Sequence, residues 1–177
     1  MRILTLCRLL ACTALLLPLA GCQYFEDASP EDVRTITITM VAKSEANPVF
    51  LSARLGAEAA AKDLSEKYNR IDVNIDWRTP ATEDASGQAR LILDAVDAGT
   101  DAILVSCSND EILELAINQA VDRGVPVMTF DSDAPDSRRF AFYGANDIEL
   151  GDTVMDKLAE LLDNKGRVAI LAGNEAA

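Results

Sequence analysis

Apolar and polar positions along the chain repeat with two alternating periods. Thr35 to Ala42 is a β-branched and apolar run that predicts a strand. From Pro48 to Tyr68, the residues Phe50, Ala53, Ala57, Ala60, Ala61, Leu64 and Tyr68 recur at helical spacing and predict a helix with one apolar face. Asn47 can cap its start, and Pro48 suits the first helical position. Ile71 to Trp77 alternates with a period of two and predicts a second strand. A second helix follows on Ala85, Ala89, Ile92, Leu93 and Val96, ended by Gly99. Asp101 to Ser106 is a third strand. Ile112, Leu113, Ala116, Ile117, Ala120 and Val121 mark a third helix, ended by Gly124. Val125 to Phe130 reads as a fourth strand and Phe140 to Tyr143 as a short fifth. Leu150, Val154, Leu158, Leu161 and Leu162 mark a fourth helix, and Arg167 to Leu171 a sixth strand.

Strands that alternate with helices imply an α/β fold, a parallel sheet in three α/β/α layers. The third and fourth strands are apolar along most of their length, as expected for strands covered on both sides. Trp77 and Tyr143 are read as core residues. The chain stops at Asn174-Glu175-Ala176-Ala177, directly after the sixth strand, so it is expected to be a fragment.

The first 22 residues change the picture of where the protein works. Arg2 and Arg8 flank an apolar run from Leu9 to Leu19, the pattern of a secretory signal. The run is shorter than the roughly 20 apolar residues a membrane-spanning helix needs. It ends in Leu19-Ala20-Gly21-Cys22, which resembles a bacterial lipobox. That resemblance implies cleavage before Cys22, lipidation of Cys22 and a lipid-anchored protein in the periplasm or cell envelope. Residues 23–34 are expected to be a tether.

Composition narrows the chemistry. Cys7 and Cys12 leave with the signal and Cys22 is acylated on this reading. Cys107 alone remains, which rules out an internal disulfide. Loss of Arg2 and Arg8 takes the formal charge from −13 to −15. Such a surface repels nucleic acid, and there is no basic stripe to offset it. The sequence has no histidine, so the commonest general base and metal ligand are missing.

Ligands of open α/β sheets bind at the carboxyl ends of the strands. Those ends carry Lys43, Ser44 and Asn47; Arg78 and Thr79; Ser106 and Ser108; Asp131, Ser132 and Asp133; and Asn146 with Asp147. No glycine-rich dinucleotide or phosphate loop is present, and a serine triad lacks its histidine. Asp131 and Asp133 follow an apolar strand at once. By residue type they suit a catalytic pair, a metal site with hard oxygen ligands or an acceptor pair for a hydroxylated ligand. A phosphatase nucleophile motif expects Thr or Val where Pro135 stands.

Three stretches resemble the N-terminal half of periplasmic sugar-binding proteins of the ribose-binding type. They are "ITMVAKSEANPVF"; "AVDAGTDAILVSCSND" followed by "AINQAVDRGVPVMTFDSD"; and "FYGANDIELGDTVMDKLAELL" leading to "GRVAILAGNEAA". The resemblance implies the type I periplasmic-binding-protein fold, in which two lobes close over a monosaccharide. Residues 35–144 would be the first lobe, and 145–177 the start of an incomplete second lobe, with a hinge near Gly144 to Asn146. It also implies delivery of the sugar to an ABC transporter permease, as a monomer, without cofactor, metal or catalysis.

Carried over residue by residue, the family's sugar contacts fall on Asn47, Phe50 and Asp131. Val49 stands where a second aromatic is common, and Ser132 where Arg is common. Asp133 adds a carboxylate beside it, and Lys43 is placed to supply the missing cation. Asn174 lies where the second lobe begins its contacts. The physical logic is independent of the family. A carboxylate accepts from neighbouring hydroxyls in charge-strengthened bonds, an aromatic face covers the C–H side of the ring, and Asn both donates and accepts. The sequence also admits two rivals, a secreted metal-dependent hydrolase using Asp131 and Asp133, and a sensor lobe for a sugar-like autoinducer.

Overall fold

The computed structural model describes residues 33–171. The expected strands and helices up to the fourth helix appear in the expected order. They are β1 (Arg34–Val41), α1 (Pro48–Lys67), β2 (Ile71–Trp77), α2 (Ala85–Asp97), β3 (Ala102–Val105), α3 (Asp110–Asp122), β4 (Val127–Phe130), β5 (Ala141–Tyr143) and α4 (Asp147–Leu161). The signal segment with Cys22, most of the tether, and Asn174 with Glu175 lie outside the described residues. Among the described residues, no helix is long and apolar enough to cross a membrane.

Side-chain caps set where the helices start. Asn47, Asp84, Asn109 and Asn146 each accept a hydrogen bond from a first-turn amide of α1, α2, α3 and α4 respectively. Glycine sets where α2 and α3 stop. Gly99 and Gly124 take φ of +83° and +85°, and the next residues, Thr100 and Val125, donate back to Ala95 and Ala120. This left-handed closure satisfies two of the last carbonyls of each helix and turns the chain into the next strand.

All five strands are parallel, in the order β2-β1-β3-β4-β5. Right-handed crossovers put α1 on one face of the sheet and α2 and α3 on the other, where they pack together. That second face holds the core. Val41, Ile103, Val105 and Val127 meet Ile92, Ala95, Leu113, Ile117 and Ala120 there. The α1 face is thinner. Leu104 and Met128 are only half-buried, and α1 itself buries just Phe50 and Ala61. Leu64 and Tyr68, expected on its apolar face, are exposed because α1 is the one helix on that side among the described residues.

Two further expectations fail. Residues 167–171 form no strand, since no neighbouring strand pairs with them among the described residues, and Leu171 is 99% exposed. Tyr143 is not core. It ends the edge strand β5 and is 75% exposed, while Trp77 is half-buried under the Arg54 guanidinium, 5.5 Å from its ring centre. The described part of α4 buries none of its residues.

Candidate functional site

The strand order reverses between β1 and β3, where the chain leaves toward opposite faces. β1 continues into α1, and β3 into α3. The crevice outside those strand ends is the natural ligand position in such a sheet. Its polar groups fall into two sets, those already committed to the protein and those left open.

Most are committed. Thr79 Oγ1 accepts from Ala42 N at 2.9 Å and is buried. Ser44 Oγ accepts from Ala46 N at 3.1 Å. Asn109 Oδ1 accepts from Ile112 N at 2.8 Å and Asn47 Oδ1 from Val49 N at 3.0 Å. Asn47 is nonetheless exposed, and its Nδ2 makes no hydrogen bond among the described residues. Phe50, expected to face a ligand, is 3% exposed, so almost none of its ring is open to the crevice. Its neighbour Val49 is exposed in its stead.

Asp131 is the open acceptor. Its φ of +61° places it in the left-handed region, which Asp tolerates better than most residues. Ser132 N donates to Phe130 O at 2.7 Å across it, closing a three-residue turn, and Asp131 N donates to Tyr143 O at 3.0 Å. The buried Ser106 hydroxyl donates to Oδ2 at 2.8 Å, and the half-buried Ser132 hydroxyl reaches the same oxygen at 3.4 Å. Oδ1 has no partner among the described residues. The carboxylate is exposed, so its direction is set by the protein while one oxygen stays free. Lys43, half-buried at the end of β1, has no ion-pair partner among the described residues.

Asp133 differs from its neighbour. Arg139 grips it through Nε and Nη2, Thr129 Oγ1 donates at 2.6 Å and Ala134 N at 2.8 Å. Partial burial acts to raise its pKa, but the Arg139, Thr129 and Ala134 hydrogen bonds outweigh it and hold the carboxyl below the usual range. Both oxygens serve the connection between β4 and β5, residues 131–140, which joins two parallel strands with no helix between them. Cys107 lies behind this cluster. Burial, then the Asp133 charge, pushes its thiol up to about 12.

Sequence reading missed Gln88. It is fully buried on α2, where a polar side chain reads as a solvent-facing one. Its spacing of four before Ile92 was the available signal. Nε2 donates to Ala42 O and Ser106 O, each at 2.8 Å, and Oε1 accepts from Ser108 N at 2.9 Å. No group of three or more Asp, Glu and Cys side chains among the described residues is gathered to hold a metal ion.

The carboxyl ends of the strands carry one aimed carboxylate at Asp131, an amide at Asn47 and an ammonium at Lys43. That set can bind hydroxyls. Known proteins resemble the chain in the same region. A family model described as a periplasmic binding protein domain matches residues 38–177. The ribose import binding protein of Bacillus subtilis is 26% identical over 151 residues, covering 85% of this chain and 47% of its own. Among solved structures, a glucose-galactose binding protein from Geobacillus stearothermophilus superposes with a TM-score of 0.72 at 28% identity, covering 81% of this chain and 49% of that one. An ABC transporter solute binding protein from Burkholderia graminis, in complex with D-arabinose, gives 0.71 at 28% identity, with 80% and 46% covered. The chain spans about half the length of these relatives. On its sequence match and its parallel α/β sheet, the chain belongs to the periplasmic binding protein domain family.

Proposed function

We propose that this chain is the first lobe, with the start of a second, of an extracytoplasmic binding protein that takes a monosaccharide and passes it to an ABC importer. The free Oδ1 of Asp131, aimed from within by Ser106, carries this reading. A carboxylate so placed accepts from ring hydroxyls, and the charge makes those bonds stronger than neutral ones. Asn47 Nδ2, Lys43 and Ser132 are the further contacts of this lobe. Asp133 acts on the loop through Arg139, Phe50 supports the floor, and Asn174 contributes from the second lobe. The named ligands of the relatives, a pentose in one and hexoses in another, support the monosaccharide class without choosing a member. Residues 35–144 would form the first lobe and 145–177 begin the second, with α4 exposing Ile148, Leu150 and Val154 for partners in that lobe. Lipidation at Cys22 after signal cleavage would anchor it in the cell envelope as a monomer.

Titration calorimetry with D-ribose, D-arabinose, D-glucose and D-galactose tests the reading. Saturable binding of at least one, lost in Asp131→Ala, is expected. Heat-silent titrations with all four, on protein extended through its second lobe, would reject it.

A further inference from the structure

The last rung between β1 and β3 is Ser106 N donating to Val41 O at 3.0 Å. Beyond it the strands diverge toward α1 and α3, so the carbonyls of Ala42 and Ser106 lose ladder partners while remaining buried. Buried carbonyls must be met by something. Gln88 reaches up from α2 and meets both, and its own oxygen takes Ser108 N. Two donors and one acceptor are all used, in a side chain with no exposure.

We propose that Gln88 is a positioning residue of the binding crevice, the group that fixes how far apart its two walls stand. This rests on the sugar-binding reading above. Ala42 directly precedes Lys43 on one wall. Ser106 on the other holds Asp131 Oδ2. One amide therefore sets the ammonium and the carboxylate relative to each other without touching the ligand. Methionine has nearly the same volume and donates nothing. Asparagine keeps the amide but is one methylene too short to span the three partners.

The test compares the full chain with its Q88M and Q88N variants by thermal unfolding and by backbone amide NMR. Q88M is expected to unfold cooperatively. Its Ser108 amide should exchange at least tenfold faster, and the Lys43 and Asp131 amide signals should shift while Lys67 and Ile71 stay in place. Any of D-ribose, D-arabinose, D-glucose or D-galactose that binds the parent should bind Q88M at least tenfold more weakly. Unchanged signals at 43 and 131 in a folded variant would show that Gln88 only fills space, and the proposal would fall. Should Q88M not fold, Q88N is read by the same signals. Failure of both to fold also overturns it, since the amide would then hold the lobe together rather than set the crevice. If the parent, extended through its second lobe, binds none of the four sugars, the sugar reading fails separately, and the signals at 43 and 131 still decide the role of Gln88.

Discussion

Ser106 and Asp131, at the ends of the adjacent strands β3 and β4, are joined by a 2.8 Å hydrogen bond from a buried hydroxyl to an exposed carboxylate. The interior thus aims a surface group. Ser106→Ala removes the aim and leaves the charge. Sugar affinity is expected to fall about tenfold, about 1.4 kcal/mol. Stability should change by less than about 1 kcal/mol, because water can replace the hydroxyl at an exposed oxygen. Calorimetry beside thermal melts checks this, and an S106A protein with undiminished affinity would contradict it.

Asp133 makes a separate prediction about acid stability. Its carboxyl is held below the ordinary value in the folded state, so its contribution is fully present above the unfolded carboxylate range near pH 4. The contribution is lost as pH falls through the folded value. Asp133→Asn should therefore destabilise the protein by about 2 kcal/mol at neutral pH, and the gap to wild type should narrow below about pH 4. Urea melts at several pH values measure it. A constant difference down to pH 2 would be inconsistent with the Arg139 pair as its source.

Cys107 should be chemically silent in the folded protein. With its thiol pushed up to about 12, the thiolate fraction at pH 8 is on the order of one in ten thousand. Iodoacetamide at pH 8, followed by peptide mapping, should leave Cys107 unmodified until denaturant is added. Rapid labelling of the native chain at this residue would show that the region opens.

Asn47 caps α1, and on the sugar-binding reading it also donates to the ligand; substitutions can separate the two. Asn47→Asp keeps the cap on α1 and removes the Nδ2 donor, so melting should be unchanged while sugar affinity drops. Asn47→Ala removes both, and should cost about 1 kcal/mol of stability as well. Equal melting temperatures for N47A and wild type would remove the cap from the argument.

Much of this fold was legible because its signals are local. The caps at Asn47 and Asn109, the stops at Gly99 and Gly124 and the strand periods all act within a few residues. The segment 167–171 has strand composition but no strand, since pairing depends on a distant partner. The site divides the same way. Asp131 was legible as an acid at the end of an apolar run. That Asp133 belongs to Arg139, that Phe50 is covered, and that Gln88 spans two strand ends are all tertiary facts. Spacing hints only that Gln88 faces inward, and neither residue type nor spacing displays the partners themselves.

The left-handed backbone at Asp131 has a consequence for how such a protein can change its specificity. Glycine, asparagine and aspartate tolerate that conformation, and β-branched or bulky residues are strained in it. The backbone there therefore admits little beyond aspartate, asparagine and glycine, and of these aspartate alone carries the charge that the sugar-binding reading requires. Variants with new ligand preferences should arise at Lys43, Val49 and Ser132, around an unchanged aspartate.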